Sequence, residues 1–95
     1  MPNSCVYRLK SKDPAIEPFY IGATVNPKIK FNQHRYDCQN PKSRYYDKAM
    51  YEFIRENGGI INWELEVLEV VRVANRHEQE VLVELANLKY GALLK

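Results

Sequence analysis

The stretch Trp63-Glu64-Leu65-Glu66-Val67 sets an apolar residue against an acidic one at every step. Alternation with a period of two suits a strand with one covered face and one charged face. Such a strand needs partner strands and something to cover its apolar side. Cys5–Lys10, rich in β-branched and aromatic residues and followed by the turn-forming Ser11-Lys12-Asp13-Pro14, reads as one partner. Pro18–Ala23 reads as the second, in a long-looped hairpin with the first. Asn26-Pro27 supplies an N-cap and a proline for the first helical position, predicting a helix to about Cys38 with Ile29 and Tyr36 on its apolar face. Tyr46, Ala49, Met50, Phe53 and Ile54 form the stripe of a second helix, which Gly58-Gly59 stops. The alternating strand runs over Trp63–Val71. Asn75-x-x-Glu78 then opens a last helix to about Tyr90, with Val81, Leu82, Leu85 and Leu88 as its apolar arc. The expected fold is α/β in the α+β sense: a small three-stranded, mostly antiparallel sheet flanked by three helices, in the order β-β-α-α-β-α.

Ninety-five residues with a 45% apolar share predict one domain over 1–95 that folds without disulfide or metal staples. Cys5 and Cys38 sit in no ligand cluster and read as reduced thiols of an intracellular protein of cytoplasm or nucleus. The start, Met1-Pro2-Asn3-Ser4, lacks signal-peptide features, and no apolar run reaches membrane-spanning length, so no membrane partner is expected. Charge is uneven. Lys28, Lys30, Arg35, Lys42, Arg44 and Lys48 stand against Asp37 and Asp47 in residues 27–48, a net of +4, whereas residues 49–95 carry eight acids and five bases, a net of −3. A basic central segment beside an acidic one suits a partner that presents phosphate on one side.

The chain has no serine triad, phosphate-cradling glycine loop or metal-ligand cluster in its sequence. It has a dispersed polar set instead. Tyr7 and Tyr20 lie on the two hairpin strands, where they can share a face, and Lys30 and His34 are four apart on one side of the first helix.

In order and spacing these residues resemble the GIY-YIG nucleases over about residues 5–90. Cys5-Val6-Tyr7 stands at the first motif and keeps its tyrosine. Tyr20-Ile21-Gly22, followed by Ala23 and Thr24, keeps the second. Where the family has an arginine ten residues after the second tyrosine and a histidine four later, this chain has Lys30 and His34. The helix, Gly-Gly and aromatic-to-Leu-Glu strand of Ala49–Glu69 are similar too, as is Leu82-Val83-Glu84 with Leu88-Lys89 on the last helix.

The resemblance implies a DNA endonuclease that hydrolyses phosphodiester bonds at a single Mg²⁺ or Mn²⁺. Tyr7, Tyr20, Lys30, His34 and Glu84 would be its catalytic residues, with Glu84 the metal ligand. Tyr7 orients or deprotonates the attacking water, helped by Tyr20 and His34. The base is Tyr7 or His34, and the Lys30 cation and the metal favour the phenolate. Glu84 is preferred to Glu80 because it borders the apolar arc of the last helix. Lys28, Arg35, Lys42, Arg44 and Lys48 are the expected DNA contacts, and Gly22 and Thr24 the structural members of the motif. Lys30 in place of arginine loses the planar fork and admits a second reading, a nucleic-acid-binding module without turnover. So small a module also predicts weak intrinsic sequence specificity, or a targeting domain or partner outside the chain.

Overall fold

The computed structural model describes residues 3–94, so positions 1, 2 and 95 of the expected domain lie outside the described residues. Strand β1 (Asn3–Ser11) is central, between β2 (Tyr20–Thr24) and β3 (Trp63–Arg72), and both pairings are antiparallel. Helices α1 (Pro27–Gln39) and α2 (Ala49–Glu56) lie between β2 and β3 in the chain, and α3 (Arg76–Tyr90) follows β3. The α+β architecture and the β-β-α-α-β-α order are those the sequence predicts.

The pleat divides two cores. Tyr7 and Leu9 point to the face covered by α1 and α2, where Cys38, Met50, Tyr51, Ile54, Ile60 and Trp63 are buried with them. Val6 and Ile21 point to the other face and pack against Ala86, Leu82 and Val83 of α3. The alternation of β3 breaks once. Val6 pairs with Glu69 and Tyr7 with Val67, which leaves Leu68 as a bulge residue that joins the α3 core. Before the bulge, Glu64 and Glu66 face Lys10 and Arg8 on β1. Lys10 lies 3.6 Å from both carboxylates, and Arg8 donates to Glu66. The acidic side of the strand is therefore a cross-strand ion-pair ladder.

Local signals fix the helix ends. The Asn26 side chain accepts from Ile29 N at 3.1 Å and Pro27 opens α1. Asn75 accepts from Glu78 N at 3.0 Å, while the Glu78 carboxylate accepts from Ala74 N at 2.7 Å. Gly58 and Gly59, at φ 99° and 76°, turn the chain out of α2. Beyond α3, Leu94 N donates to Phe19 O at 3.1 Å and Leu94 bridges Tyr20 in parallel, so the tail pairs with the start of the outer edge of β2. No helix among the described residues is long and apolar enough to cross a membrane.

Three expected faces are corrected. α1 does not pack through Ile29 and Tyr36, both more than half exposed; its buried stripe is Phe31, His34 and Cys38. That polar stripe can be buried because the imidazole is hydrogen-bonded at both nitrogens. Tyr46 precedes α2 rather than belonging to its stripe, and lies 3.8 Å beneath the Arg55 guanidinium. On α3, Leu85 and Leu88 are 57% and 83% exposed, and the packed stripe is Gln79, Leu82, Val83, Ala86 and Tyr90. Of the expected arc Leu82 packs against the sheet, while Val81, Leu85 and Leu88 are exposed. The packed side carries a glutamine that donates to buried Ser4 at 2.7 Å and a tyrosine that donates to Glu69 at 3.1 Å.

Candidate active site

His34 is the centre of the site. It is 6% exposed, and its two ring nitrogens meet two phenols: Nε2 lies 2.7 Å from the Tyr7 hydroxyl and Nδ1 2.8 Å from that of Tyr51. A neutral imidazole donates from one nitrogen and accepts at the other. One phenol therefore donates a hydrogen bond to the ring, and the other accepts one from the ring and has its own O–H free to donate elsewhere. Burial, with the Lys30 and Lys48 cations adding to it, pushes the His34 pKa down to about 4, against the opposing pull of Asp37. The ring is neutral at physiological pH.

Each element has a physical reason to deliver its member of this set. β1 brings Tyr7 onto the α1 side and α1 turns His34 inward. Tyr51 comes from the first turn of α2, beside buried Met50. Tyr20, on β2, packs edge-on to His34 with ring centroids 5.7 Å apart and stands 6.2 Å from Tyr7. Gly22 pairs directly with Tyr7, and a side chain there would enter the Tyr7 ring. Gly22 is thus what makes room for the phenol. Thr24 has a structural role, its hydroxyl accepting from Asn26 N at 3.2 Å ahead of α1.

The site opens into a cavity of about 630 Å³. Tyr20, His34, Tyr51, Lys30, Lys48 and Asp37 line it, so Lys30 and His34 share one wall as their spacing predicts. Lys48 Nζ stands 5.7 Å from the centre of the Tyr20 ring. Tyr7 is 1% exposed and sits behind His34 instead of lining the cavity. Its pKa is raised well above the ordinary phenol value by burial first, then by Tyr20 and Tyr51. Burial thus acts against the phenolate that the Lys30 cation and a metal would favour. Of the two strand tyrosines, Tyr20 is the one that lines the cavity, and no hydrogen bond from its hydroxyl is found among the described residues.

The other expected residues scatter. Lys28 lines a separate, smaller cavity with Lys12 and Trp63. Arg35 and Lys42 are exposed outside both cavities, and Arg44 lies over the ring of Tyr45 at 5.1 Å. Glu84 is exposed on α3, in neither cavity, on the helix that covers the opposite face of the sheet. The sequence reading missed Tyr51 and Asp37. Tyr51 adjoins the stripe residue Met50, and Asp37 is one helical turn from His34, so helical spacing from residues already chosen could have found both.

The donor chemistry in the cavity, the carboxylate of Asp37 and the phenol of Tyr20, suits a hard, water-rich divalent cation. No grouping of three ligating side chains occurs among the described residues, so one carboxylate would have to hold the ion within a shell of water and phosphate oxygens. Comparison of the chain with protein-family models, with curated proteins and with solved structures finds no match.

Proposed function

We propose that the chain is a divalent-metal-dependent nuclease that hydrolyses phosphodiester bonds of DNA in the cavity before His34. The observation that carries this reading is the buried, neutral His34 bridged by Tyr7 and Tyr51 behind a pocket that holds Tyr20 and two lysines. Lys30 and Lys48 bind the phosphodiester and offset the charge that builds on its oxygens. Tyr20, with its hydroxyl unengaged by protein, orients the attacking water. The water oxygen forms the new bond to phosphorus and the ester P–O bond breaks. The water's proton leaves through the phenol–imidazole set, and the leaving oxygen takes one from solvent. Tyr7 holds His34 from behind, and Tyr51 fixes its other nitrogen. Asp37 and a carboxylate of α3 are the groups that would hold a Mg²⁺ or Mn²⁺, which when bound would supply Lewis-acid stabilisation of developing negative charge.

The metal-holding carboxylate on α3 is better assigned to Glu80 than to Glu84. Successive residues turn by roughly 100° about a helix. Lys89, 3.6 Å from Glu69 of β3, marks the flank of α3 that faces β3. Glu80 and Glu84 both lie on the opposite flank, exposed and outside both cavities, with Glu80 closer to the packed stripe of Gln79 and Ala86. The reason for preferring Glu84 disappears with the exposure of Leu85 and Leu88. In a plasmid-nicking assay with Mg²⁺ or Mn²⁺, Glu80→Ala should lose at least about a hundredfold in rate, as expected for a metal ligand or its close support. Glu84→Ala should keep most activity. The reverse ranking would restore Glu84.

The second reading, a binding module without turnover, draws on Lys30. An ammonium places charge in the cavity without a fork that holds two phosphate oxygens. Under the nuclease reading Lys30→Arg nicks at least as fast as the parent; under the binding reading it nicks nothing and DNA affinity remains.

A further inference from the structure

The cavity carries more aromatic surface than hydrolysis of a phosphodiester needs. Tyr36 and Tyr45, from α1 and from the turn before α2, both line it and are 54% and 48% exposed. Neither is used to build the core, and neither hydroxyl makes a hydrogen bond among the described residues. Lys30 and Lys48 line the same space, and the Arg44 guanidinium lies over the Tyr45 ring. Exposed tyrosine faces interleaved with cations make the surface on which unpaired bases stack while their phosphates are neutralised. Bases in a duplex offer only their edges, because their faces are already stacked on one another. At about 630 Å³ the space lies within the range of sites that enclose small organic ligands.

We infer that Tyr36 and Tyr45 form a stacking site for an unpaired base, so that the preferred ligand is single-stranded or locally opened nucleic acid rather than intact duplex. The inference deepens the nuclease reading and rests on it for the identity of the ligand. Lys30 and Lys48 hold the phosphates that flank the stacked base, which places the adjoining phosphodiester in front of Tyr20 and His34.

The test is fluorescence anisotropy of a labelled oligothymidine strand and of its duplex with oligodeoxyadenosine, titrated with the whole chain in EDTA so that nothing is cut. The single strand should bind at least about tenfold tighter than the duplex. Tyr45→Ala should weaken single-strand binding by about five- to a hundredfold, the size of one lost base stack, and leave duplex binding unchanged. Tyr45→Phe should retain single-strand affinity because it keeps the ring, and Tyr36→Ala should behave as Tyr45→Ala does. Both residues are exposed, so the variants fold. Equal or tighter binding of the duplex, or a Tyr45→Ala loss common to both ligands, overturns the inference. Cleavage is scored separately. A chain that prefers single strands in EDTA and cuts neither ligand with Mg²⁺ overturns the nuclease reading while sustaining the stacking site.

Discussion

Replacing Gly22 by alanine should destabilise the fold by about 1–3 kcal/mol, the usual cost of overfilling a packed core, and abolish most activity together with it. Gly22 has no left-handed backbone to protect; the positive φ values belong to Gly58, Gly59 and Gly91. What it protects is space. A Cβ at position 22 would stand 2.6 Å from Tyr7 Cζ and 2.9 Å from Cε2, distances that real Cβ atoms do not adopt. Tyr7 has little freedom to give way, because its ring is buried between Tyr20 and His34 and its hydroxyl is held at 2.7 Å. Moving the phenol breaks the bond to His34 and leaves a buried nitrogen without a partner. Chemical denaturation measures the loss, and a double-mutant cycle identifies its source. Tyr7→Leu costs stability alone but should recover part of the Gly22→Ala loss, since the two share one collision. A Gly22→Ala chain as stable as the parent would mean that the Tyr7 ring moves freely, and the rigid support assigned to His34 would fall.

His34 should make the chain progressively less stable as pH falls from about 6.5 toward 4. The sign follows from the direction of the shift. Folding lowers the His34 pKa from 6.5 to about 4, so between those values the unfolded chain takes up a proton that the folded chain refuses. At 1.36 kcal/mol per unit the full window is worth about 3 kcal/mol, all present above pH 6.5. Urea denaturation at several pH values reads it directly. His34→Gln retains a donor and an acceptor but cannot titrate, so its stability should stay flatter over this interval than that of the parent. Tyr51→Phe, which unpairs Nδ1, should lower stability by about 1 kcal/mol. Equal slopes in the parent and in His34→Gln would show that the imidazole is not held neutral by the fold.

The sheet was legible because its signals are local. Alternation over Trp63–Val67, the Asn26-Pro27 and Asn75-x-x-Glu78 starts and the Gly58-Gly59 stop each act within a few residues. That Tyr7 and Tyr20, and Lys30 and His34, come together was legible from spacing within one hairpin and one helix, while their role as a candidate site came from the resemblance. What stayed hidden depends on partners distant in sequence. Ile29 and Tyr36 look like a core face until Tyr7 and Tyr51 arrive to satisfy His34 on the other side of α1. Val81, Leu85 and Leu88 look like the buried arc of α3 until Ser4 and Glu69 engage Gln79 and Tyr90. The inversion of Tyr7 and Tyr20 had the same origin: residues on paired strands share a face, but which of the two is roofed over depends on how α1 and α2 close above them.

The most direct test of the central claim is relaxation of supercoiled plasmid by the parent chain and by His34→Ala, each verified as folded and each assayed with Mg²⁺, with Mn²⁺ and with EDTA. A phosphodiesterase centred on His34 predicts metal-dependent conversion to open circle by the parent, none in EDTA, and a rate lower by about 10²–10⁴ in His34→Ala, the range for a removed acid–base group. No conversion by the folded parent with either metal, or the same rate from His34→Ala, would contradict it.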